Sequence, residues 1–268
     1  MKKILITAAT CMLGTLAYTP LATAFGVGLQ PSSVEMTVKE GDRQRQVITI
    51  GNVHTEKTIA LQLSLADWSL DEEGQLVLDA PGDTERSAAD WVRFSPASLT
   101  LKPATSADVV VEITTPYKVQ NKGDHRFALL ATTRLPDPKD RDGSGVWAKY
   151  QLASLFYLTF QPAESLPSVQ AKLDGSELML DIANTGDAHA RIQGSADLVS
   201  KTGDVVQSME VNAVVLDGGR RTLRMDIGGD EVSPGTYAVQ FNLDNAFSPQ
   251  NNFERTAISV PDMSYEAR

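Results

Sequence analysis

The segment GVWAKYQLASLFYLTFQP, residues 145–162, decides the fold because its hydrophobic pattern changes along its length. In the first half, apolar residues occupy every second position: Val146, Ala148, Tyr150 and Leu152. From Leu155 onward almost every residue is apolar. Alternation is typical of a strand with one face on a core, and a continuous apolar run is typical of a strand buried on both faces. The segment therefore predicts one strand that begins with one apolar face and ends with two.

The rest of the chain repeats this period of two in short segments separated by turn residues. Strands are predicted at residues 47–50, 58–65, 99–101, 109–113, 126–133, 177–182, 191–199, 205–215, 221–227 and 235–243. One helical turn is predicted within residues 84–91, with Asp83 or Thr84 as its cap. Many short strands with turn signals between them favour antiparallel sandwiches. The predicted fold class is all-β, with two immunoglobulin-like β-sandwich domains.

The domain boundary is predicted at residues 161–167, where two prolines bracket a polar stretch, because proline removes a ladder donor. Residues 1–24 are predicted to be a cleaved signal peptide, with Lys2 and Lys3, an apolar segment and the small-residue site Ala22-Thr23-Ala24. The predicted domains are then residues 25–161 and 162–268. No later segment approaches the roughly 20 apolar residues of a membrane span, so no membrane-spanning helix is expected.

The composition excludes several function classes. The 268-residue chain has 24 basic and 34 acidic residues, a formal net charge of −10, which argues against nucleic acid or an anionic membrane surface as partner. Its single cysteine, Cys11, lies in the predicted signal peptide, so the exported protein must hold its core without disulfides.

Motifs for catalysis or metal binding are missing from the sequence. His54, His125 and His189 have no ligand-like spacing and are expected to be ordinary surface or turn histidines. The loop DPKDRDGSG, residues 137–145, does not fit a calcium loop, because Pro138 and Lys149 would take ligand positions. We therefore expect no metal, no cofactor and no enzymatic activity.

The order of several segments in the first half carries a family resemblance. GLQPSSVEM (28–36), VITIGN (47–52), FSPASLTLKP (94–103), RFALL (126–130) and RLPDP (134–138) follow one another, and Pro162 ends the series. In this order they resemble the periplasmic chaperones of pilus assembly, the chaperone–usher class. The resemblance covers residues 26–162.

The resemblance implies a function for the opening segment. In that family the last strand of the first domain lends alternating apolar side chains to a pilus subunit whose own sandwich lacks a strand, a form of strand addition. The partner-binding residues implied here are Val146, Ala148, Tyr150 and Leu152. The implied protein is a periplasmic chaperone that caps pilus or fimbrial subunits by β-strand donation during surface-fibre assembly, and an outer-membrane usher is a further implied partner. The dense part from Leu155 to Phe160 would lie in the domain interior, near the interdomain cleft.

One departure from the family concerns the cleft. The family anchors the terminal carboxylate of the subunit with an arginine and a lysine, whose positions fall here near Ser33 and Tyr157, and neither residue is basic. A buried carboxylate needs charge-assisted hydrogen bonds, so Arg126 and Lys149 are the remaining cleft candidates. Otherwise the chaperone is atypical, or the fold serves another purpose. The missing basic pair favours the alternative, an exported immunoglobulin-like structural or adhesive cell-surface protein.

Overall fold

The computed structural model describes residues 26–135, 149–229 and 232–267. The predicted signal peptide, the loop at residues 137–145 and the predicted partner-binding residues Val146 and Ala148 lie outside the described residues. None of the helices in the described ranges is long and apolar enough to cross a membrane.

The described part of the first half forms a β-sandwich of two sheets. Its strands are β1 (Val27–Gln30), β2 (Ser33–Val38), β3 (Arg43–Asn52), β4 (Ile59–Leu70), β5 (Leu76–Asp79), β6 (Val92–Ser95), β7 (Ser98–Leu101), β8 (Ser106–Thr114), β9 (Gly123–Thr133) and β10 (Gln151–Phe160). One sheet has the order β1-β3-β8-β6, and the other has the order β2-β10-β9-β4-β5 with β7 also paired to β4. The pairing of β10 with β2 is parallel, whereas β10 and β9 are antiparallel.

The described part of the second half forms another sandwich. Its strands are β11 (Pro167–Asp174), β12 (Glu177–Asn184), β13 (Ala190–Val199), β14 (Val205–Val215), β15 (Arg220–Asp226), β16 (Gly235–Asn245), β17 (Thr256–Ile258) and β18 (Met263–Ala267). One sheet has the order β11-β12-β15, and the other has the order β14-β13-β16-β17 with β18 also paired to β16. The predicted all-β class with two immunoglobulin-like sandwiches is confirmed. No strand lies between β10 and β11, and we propose the predicted division after Gln161 as the domain boundary.

Each sandwich has its own apolar core. The first core includes Ile48 and Ile50 of β3, Val109 and Val111 of β8, and the stacked rings of Phe127 and Phe156, whose centroids are 4.3 Å apart. The second includes Leu178, Leu180 and Ile182 of β12 with Ile192 and Leu198 of β13. The alternating burial of β12 follows its alternating sequence, because successive side chains of a strand point to opposite faces.

A buried asparagine closes a turn in each sandwich, and the second of these turns shapes the region between the sandwiches. Asn52, the last residue of β3, donates from Nδ2 to the carbonyl oxygens of Lys57 at 2.7 Å and Leu101 at 3.1 Å. Asn184, the last residue of β12, donates from Nδ2 to the carbonyl oxygens of Ala188 at 2.8 Å and Leu216 at 3.1 Å. Asn184 thereby fixes the turn at residues 185–189, which faces the first sandwich.

The predicted helical turn is placed differently in the structure. The segment forms a short 3-10 helix, Ala89–Trp91, without a side-chain cap. The backbone N–H of Thr84 instead donates to the buried carboxylate of Asp67 at 2.9 Å, and Ser87 Oγ donates to the same carboxylate at 2.6 Å. The expected cap at Asp83 or Thr84 is therefore wrong, because the polar groups of this loop serve Asp67.

Candidate functional site

Strand β10 has strand neighbours on both sides along only part of its length. It pairs with β9 from Gln151 to Phe160, but with β2 only from Leu155 to Phe160. Within the described residues, Gln151–Ser154 thus has a neighbouring strand on one side only. An edge of this kind presents backbone donors and acceptors that can pair with another chain.

Two backbone hydrogen bonds fix which groups face the open side. The N–H of Thr133 in β9 donates to the carbonyl oxygen of Tyr150 at 2.9 Å, so the Tyr150 backbone faces β9. The N–H of Leu155 donates to the carbonyl oxygen of Ser32 at 2.9 Å, so the Leu155 backbone faces β2. Because backbone groups alternate in direction along a strand, the N–H and C=O of Gln151 and Ala153 point to the open side.

The gap beside β10 arises because the chain changes sheets just before β2. Residues Val27–Gln30 pair with β3 in the opposite sheet, and pairing with β10 starts only at Ser33. The hydroxyl of Ser154 donates to the carbonyl oxygen of Pro31 at 2.7 Å and marks the crossing point. Strand β2 therefore covers the second half of β10, and within the described ranges no strand pairs with the first half on that side.

The side chains of the predicted partner-binding residues are not equivalent. The Tyr150 residue is 42% exposed, just before the strand begins. Leu152 is half-buried and packs against the core of its own sandwich. Leu152 thus contributes to the fold as well as to the edge, which the sequence pattern does not reveal.

The second half of β10 is buried on both faces, which explains its continuous apolar sequence. Phe156, Leu158 and Phe160 lie in the first core. On the opposite face, Leu155 and Tyr157 join a cluster that includes Trp68 of β4 and Leu216 of the second sandwich. The rings of Tyr157 and Trp68 meet edge to face, with centroids 4.9 Å apart. The prediction that this half lies in the interior, near the interdomain cleft, is confirmed.

Two arginines of the first sandwich hold a carboxylate of the second across the cleft. Arg126 Nη1 forms an ion pair and hydrogen bond with Asp217 Oδ1, and Arg86 Nε lies 3.2 Å from Asp217 Oδ2. The Asp217 side chain is only 10% exposed. Of the cleft candidates, Arg126 does lie in the cleft, but its charge is already paired with a carboxylate of the same chain.

A second polar cluster in the cleft is centred on Asp124. Its Oδ2 accepts from the backbone N–H of His189 at 2.7 Å and lies 2.6 Å from His189 Nδ1, while its Oδ1 accepts from Thr159 Oγ1 at 2.6 Å. Burial alone would raise the pKa of Asp124, but the hydrogen bonds from His189 and Thr159 hold that pKa below its ordinary value. Asp124 is therefore a buried, ionised carboxylate between the sandwiches.

The remaining cleft candidates lie in different places. Tyr157 is buried beside His189, with ring centroids 4.3 Å apart, and burial raises the pKa of its phenol. Ser33 is exposed at the start of β2, opposite Leu155. Lys149 lies two residues before Gln151 and lines a groove with Arg134. Gln151 is about 20 Å along the strand from Tyr157. The structure therefore brings Tyr157 and Arg126 together and leaves Lys149 at the far end.

The expectation of a surface or turn histidine is wrong for His125, which lies inside β9, whereas His189 lies in a turn as expected but is not exposed. His125 and His189 are both buried. The ring of His125 lies 4.8 Å from that of Trp91, and its Nε2 lies 3.0 Å from the carbonyl oxygen of Asn121. Among the described residues, no group of three or more His, Cys, Asp or Glu side chains is placed to hold a metal ion.

Comparisons with known proteins concern the fold. No protein-family model matches the sequence, and no curated protein is similar to it. The structure is similar to that of the YadV chaperone, with 11% identity, a TM-score of 0.47 and coverage of 90% of this chain and 100% of that chain.

Two further solved structures give similar values. One is a chain of the CsuC–CsuE chaperone–tip adhesion subunit pre-assembly complex from Csu pili of Acinetobacter baumannii, with 10% identity, a TM-score of 0.46 and coverage of 87% and 97%. The other is the class 5 fimbriae chaperone CfaA, with 10% identity, a TM-score of 0.45 and coverage of 81% and 92%. At 10–11% identity, each of these three similarities is one of fold.

Proposed function

We propose that this protein is a periplasmic chaperone of surface-fibre assembly that holds a fibre subunit by strand donation at the first half of β10. The proposal is supported by the pairing of Gln151–Ser154, which have one neighbouring strand in the part of the chain that the structure describes, whereas Leu155–Phe160 have two. An uncovered edge with apolar side chains promotes aggregation unless a partner covers it. A subunit that lacks one strand of its own sandwich is a partner with the complementary defect.

Binding by strand addition divides affinity and specificity between backbone and side chains. An incoming strand pairs with the outward N–H and C=O groups of Gln151 and Ala153, and these hydrogen bonds are independent of sequence. The alternating apolar side chains enter pockets of the subunit. Tyr150 and Leu152 are proposed for this role together with Val146 and Ala148, which precede the described part of the strand.

The proposal does not include an anchor for the terminal carboxylate of the subunit. Arg126 and Arg86 already share Asp217, and a subunit carboxylate that took its place would leave the Asp217 carboxylate without a partner. Removing one partner of a buried ion pair costs about 3–5 kcal/mol, which is comparable to a large part of a binding energy. Main-chain pairing along β10 therefore supplies most of the affinity for the subunit. In the same proposal, the chaperone delivers the subunit to an outer-membrane usher.

The test is a pull-down from the periplasm of the native host, with three variants of the affinity-tagged protein. Ala153→Pro removes an N–H that points to the open side and is tolerated at an edge, where the ladder to β9 does not use it. Tyr150→Asp places a charge on the donated face. Tyr117→Asp changes an aromatic residue that is 91% exposed elsewhere in the first sandwich and serves as the control.

We expect the wild type and Tyr117→Asp to retain a secreted subunit with an incomplete sandwich, and Ala153→Pro and Tyr150→Asp to lose it at least tenfold. Circular dichroism checks that all three variants are folded. Retention of the same subunit by folded Ala153→Pro and Tyr150→Asp would refute strand donation. Recovery of the protein on the outer cell surface without such a subunit would favour the adhesive alternative.

A further inference from the structure

His189 is completely buried in the region where the two sandwiches meet. It lies just before β13 in the second sandwich, but its ring is directed at groups of the first. Its Nδ1 is 2.6 Å from Asp124 Oδ2 in β9, and its Nε2 is 3.7 Å from Glu35 Oε1 in β2. The second distance is too long for a hydrogen bond, so Nε2 faces Glu35 as an ion-pair partner.

The charges around this ring balance only when it carries a proton. The titratable and charged groups that face it are Asp124 from β9, Glu35 from β2, Tyr157 from β10 and Arg191 from β13. Arg191 forms an ion pair with Glu35, and Tyr157 is neutral. On its other side the ring stacks on Phe247, with centroids 3.9 Å apart. Two carboxylates therefore face one guanidinium, and a protonated His189 supplies the missing positive charge.

We propose that His189 is a proton-dependent latch that fixes the orientation of the two sandwiches. With its proton, His189 ties both Asp124 and Glu35 of the first sandwich to the second. Without it, the ionised Asp124 is left buried with a neutral partner, and the chain connects the sandwiches covalently only through residues 161–166. The buried Asp124 charge then keeps its hydrogen bonds but loses its positive partner, and this loss favours separation of the two faces and entry of water.

The pH range follows from the direction of the shifts. Burial alone lowers the pKa of His189, but the hydrogen bond with Asp124 and the charges of Asp124 and Glu35 raise that pKa above its ordinary value. A raised pKa in the folded state means that the stabilisation is complete below the unfolded value of about 6.5 and is lost as the pH rises through the folded value. The pKa values of Asp124 and Glu35 are lowered despite burial, so their contribution is lost only as the pH falls below about 4. The latch therefore opens on the alkaline side.

The first measurement is an NMR titration of the three histidine side chains. We expect one imidazole resonance to titrate above about pH 6.5 and to be missing from His189→Gln, and His54→Gln to retain it as the control. Glu35→Gln removes one of the two facing carboxylates and should move the midpoint of that resonance to lower pH.

The second measurement follows the distance between the sandwiches. Spin labels are placed at Glu112→Cys in β8 and Asn212→Cys in β14, two exposed positions, in a chain that also carries Cys11→Ser. We expect one narrow distance distribution below the NMR midpoint and a broader, longer one above it, with the change displaced to lower pH in Glu35→Gln.

A His189 resonance that titrates at or below about pH 6.5 would overturn the proposal. So would a distance distribution that is the same on both sides of the midpoint. If His189→Gln does not fold, the wild type and Glu35→Gln still decide, because the latch requires the midpoints of the two measurements to move together.

Discussion

Gly123 offers a direct test of how closely the two sandwiches meet. It is the first residue of β9, with a φ of +88°, and a Cβ placed on it would lie 2.1 Å from the carbonyl oxygen of Asp187 in the second sandwich. The same carbonyl accepts a hydrogen bond from the backbone N–H of Asp124 at 2.8 Å. Gly203 has almost the same backbone angle, a φ of +90°, but a Cβ there meets no atom within 4 Å. The change to alanine at these two positions therefore separates backbone strain from the contact between sandwiches.

The expected losses follow from these distances. Alanine at a positive φ costs about 1–2 kcal/mol at either position. At Gly123 the facing backbones must also separate by more than about 1 Å before the methyl group reaches ordinary contact distance. That displacement stretches the 2.8 Å hydrogen bond beyond bonding range and loosens the Asp124–His189 contact, which adds about 2–3 kcal/mol. We expect Gly203→Ala to lose about 1–2 kcal/mol and Gly123→Ala about 3–5 kcal/mol of the free energy of unfolding.

Urea unfolding followed by far-ultraviolet circular dichroism measures both losses, because it reports the strands of both sandwiches. Tryptophan fluorescence identifies the transition of the first sandwich, since the three tryptophans lie in the first half and Trp68 is buried against the contact region. The transitions of the two sandwiches are fitted separately, since a chain with two cores need not unfold in one step. Equal losses for Gly123→Ala and Gly203→Ala would show that the facing backbones are further apart than described, and the reasoning about the cleft would fail with them.

Two further predictions concern the cleft and the core. Asp217→Asn leaves Arg126 and Arg86 without their carboxylate and should lower the free energy of unfolding by about 3 kcal/mol in the same urea assay. Asp181→Asn, which breaks the exposed pair with Lys172, should lower it by about 1 kcal/mol or less. Similar losses for the two variants would mean that the Asp217 pairs are solvated. Phe127→Ala removes a fully buried ring stacked on Phe156 and should lower the free energy of unfolding by about 3–5 kcal/mol, measured by thermal or urea unfolding. Tyr117→Ala, at an exposed site, should change that free energy by no more than about 0.5 kcal/mol. A small loss for Phe127→Ala would contradict the position of the first core.

Strand positions were predictable where one face of a strand is buried. Residues 205–215 were expected as a strand and form β14, and residues 191–199 differ from β13 by one residue. Such strands carry their period of two in the sequence itself. The short strands β5, β6, β17 and β18 were not predicted, since three to five residues rarely display a period. The eight-residue β11 was also missed, and it begins at a proline of the predicted boundary.

The cleft could be predicted only from one side. The change of pattern at Leu155 indicated a second buried face, but nothing in it identified Leu216 as part of the cover. Asp217 and His189 meet Arg126 and Asp124 across separations of 91 and 65 residues. Pairs of this kind have no local spacing, and a single histidine or aspartate in a turn has the same local sequence whether it is exposed or buried.

The crossing of the amino-terminal chain at Pro31 determines how much of β10 pairs with β2. Each residue by which the crossing moved along the chain would lengthen or shorten, by about 3.3 Å, the part of β10 that has one neighbouring strand among the described residues. In the proposed function, that length would set how many residues of a subunit strand can pair there. The same crossing thus sets the boundary between the part of β10 that pairs with β2 and the part that does not.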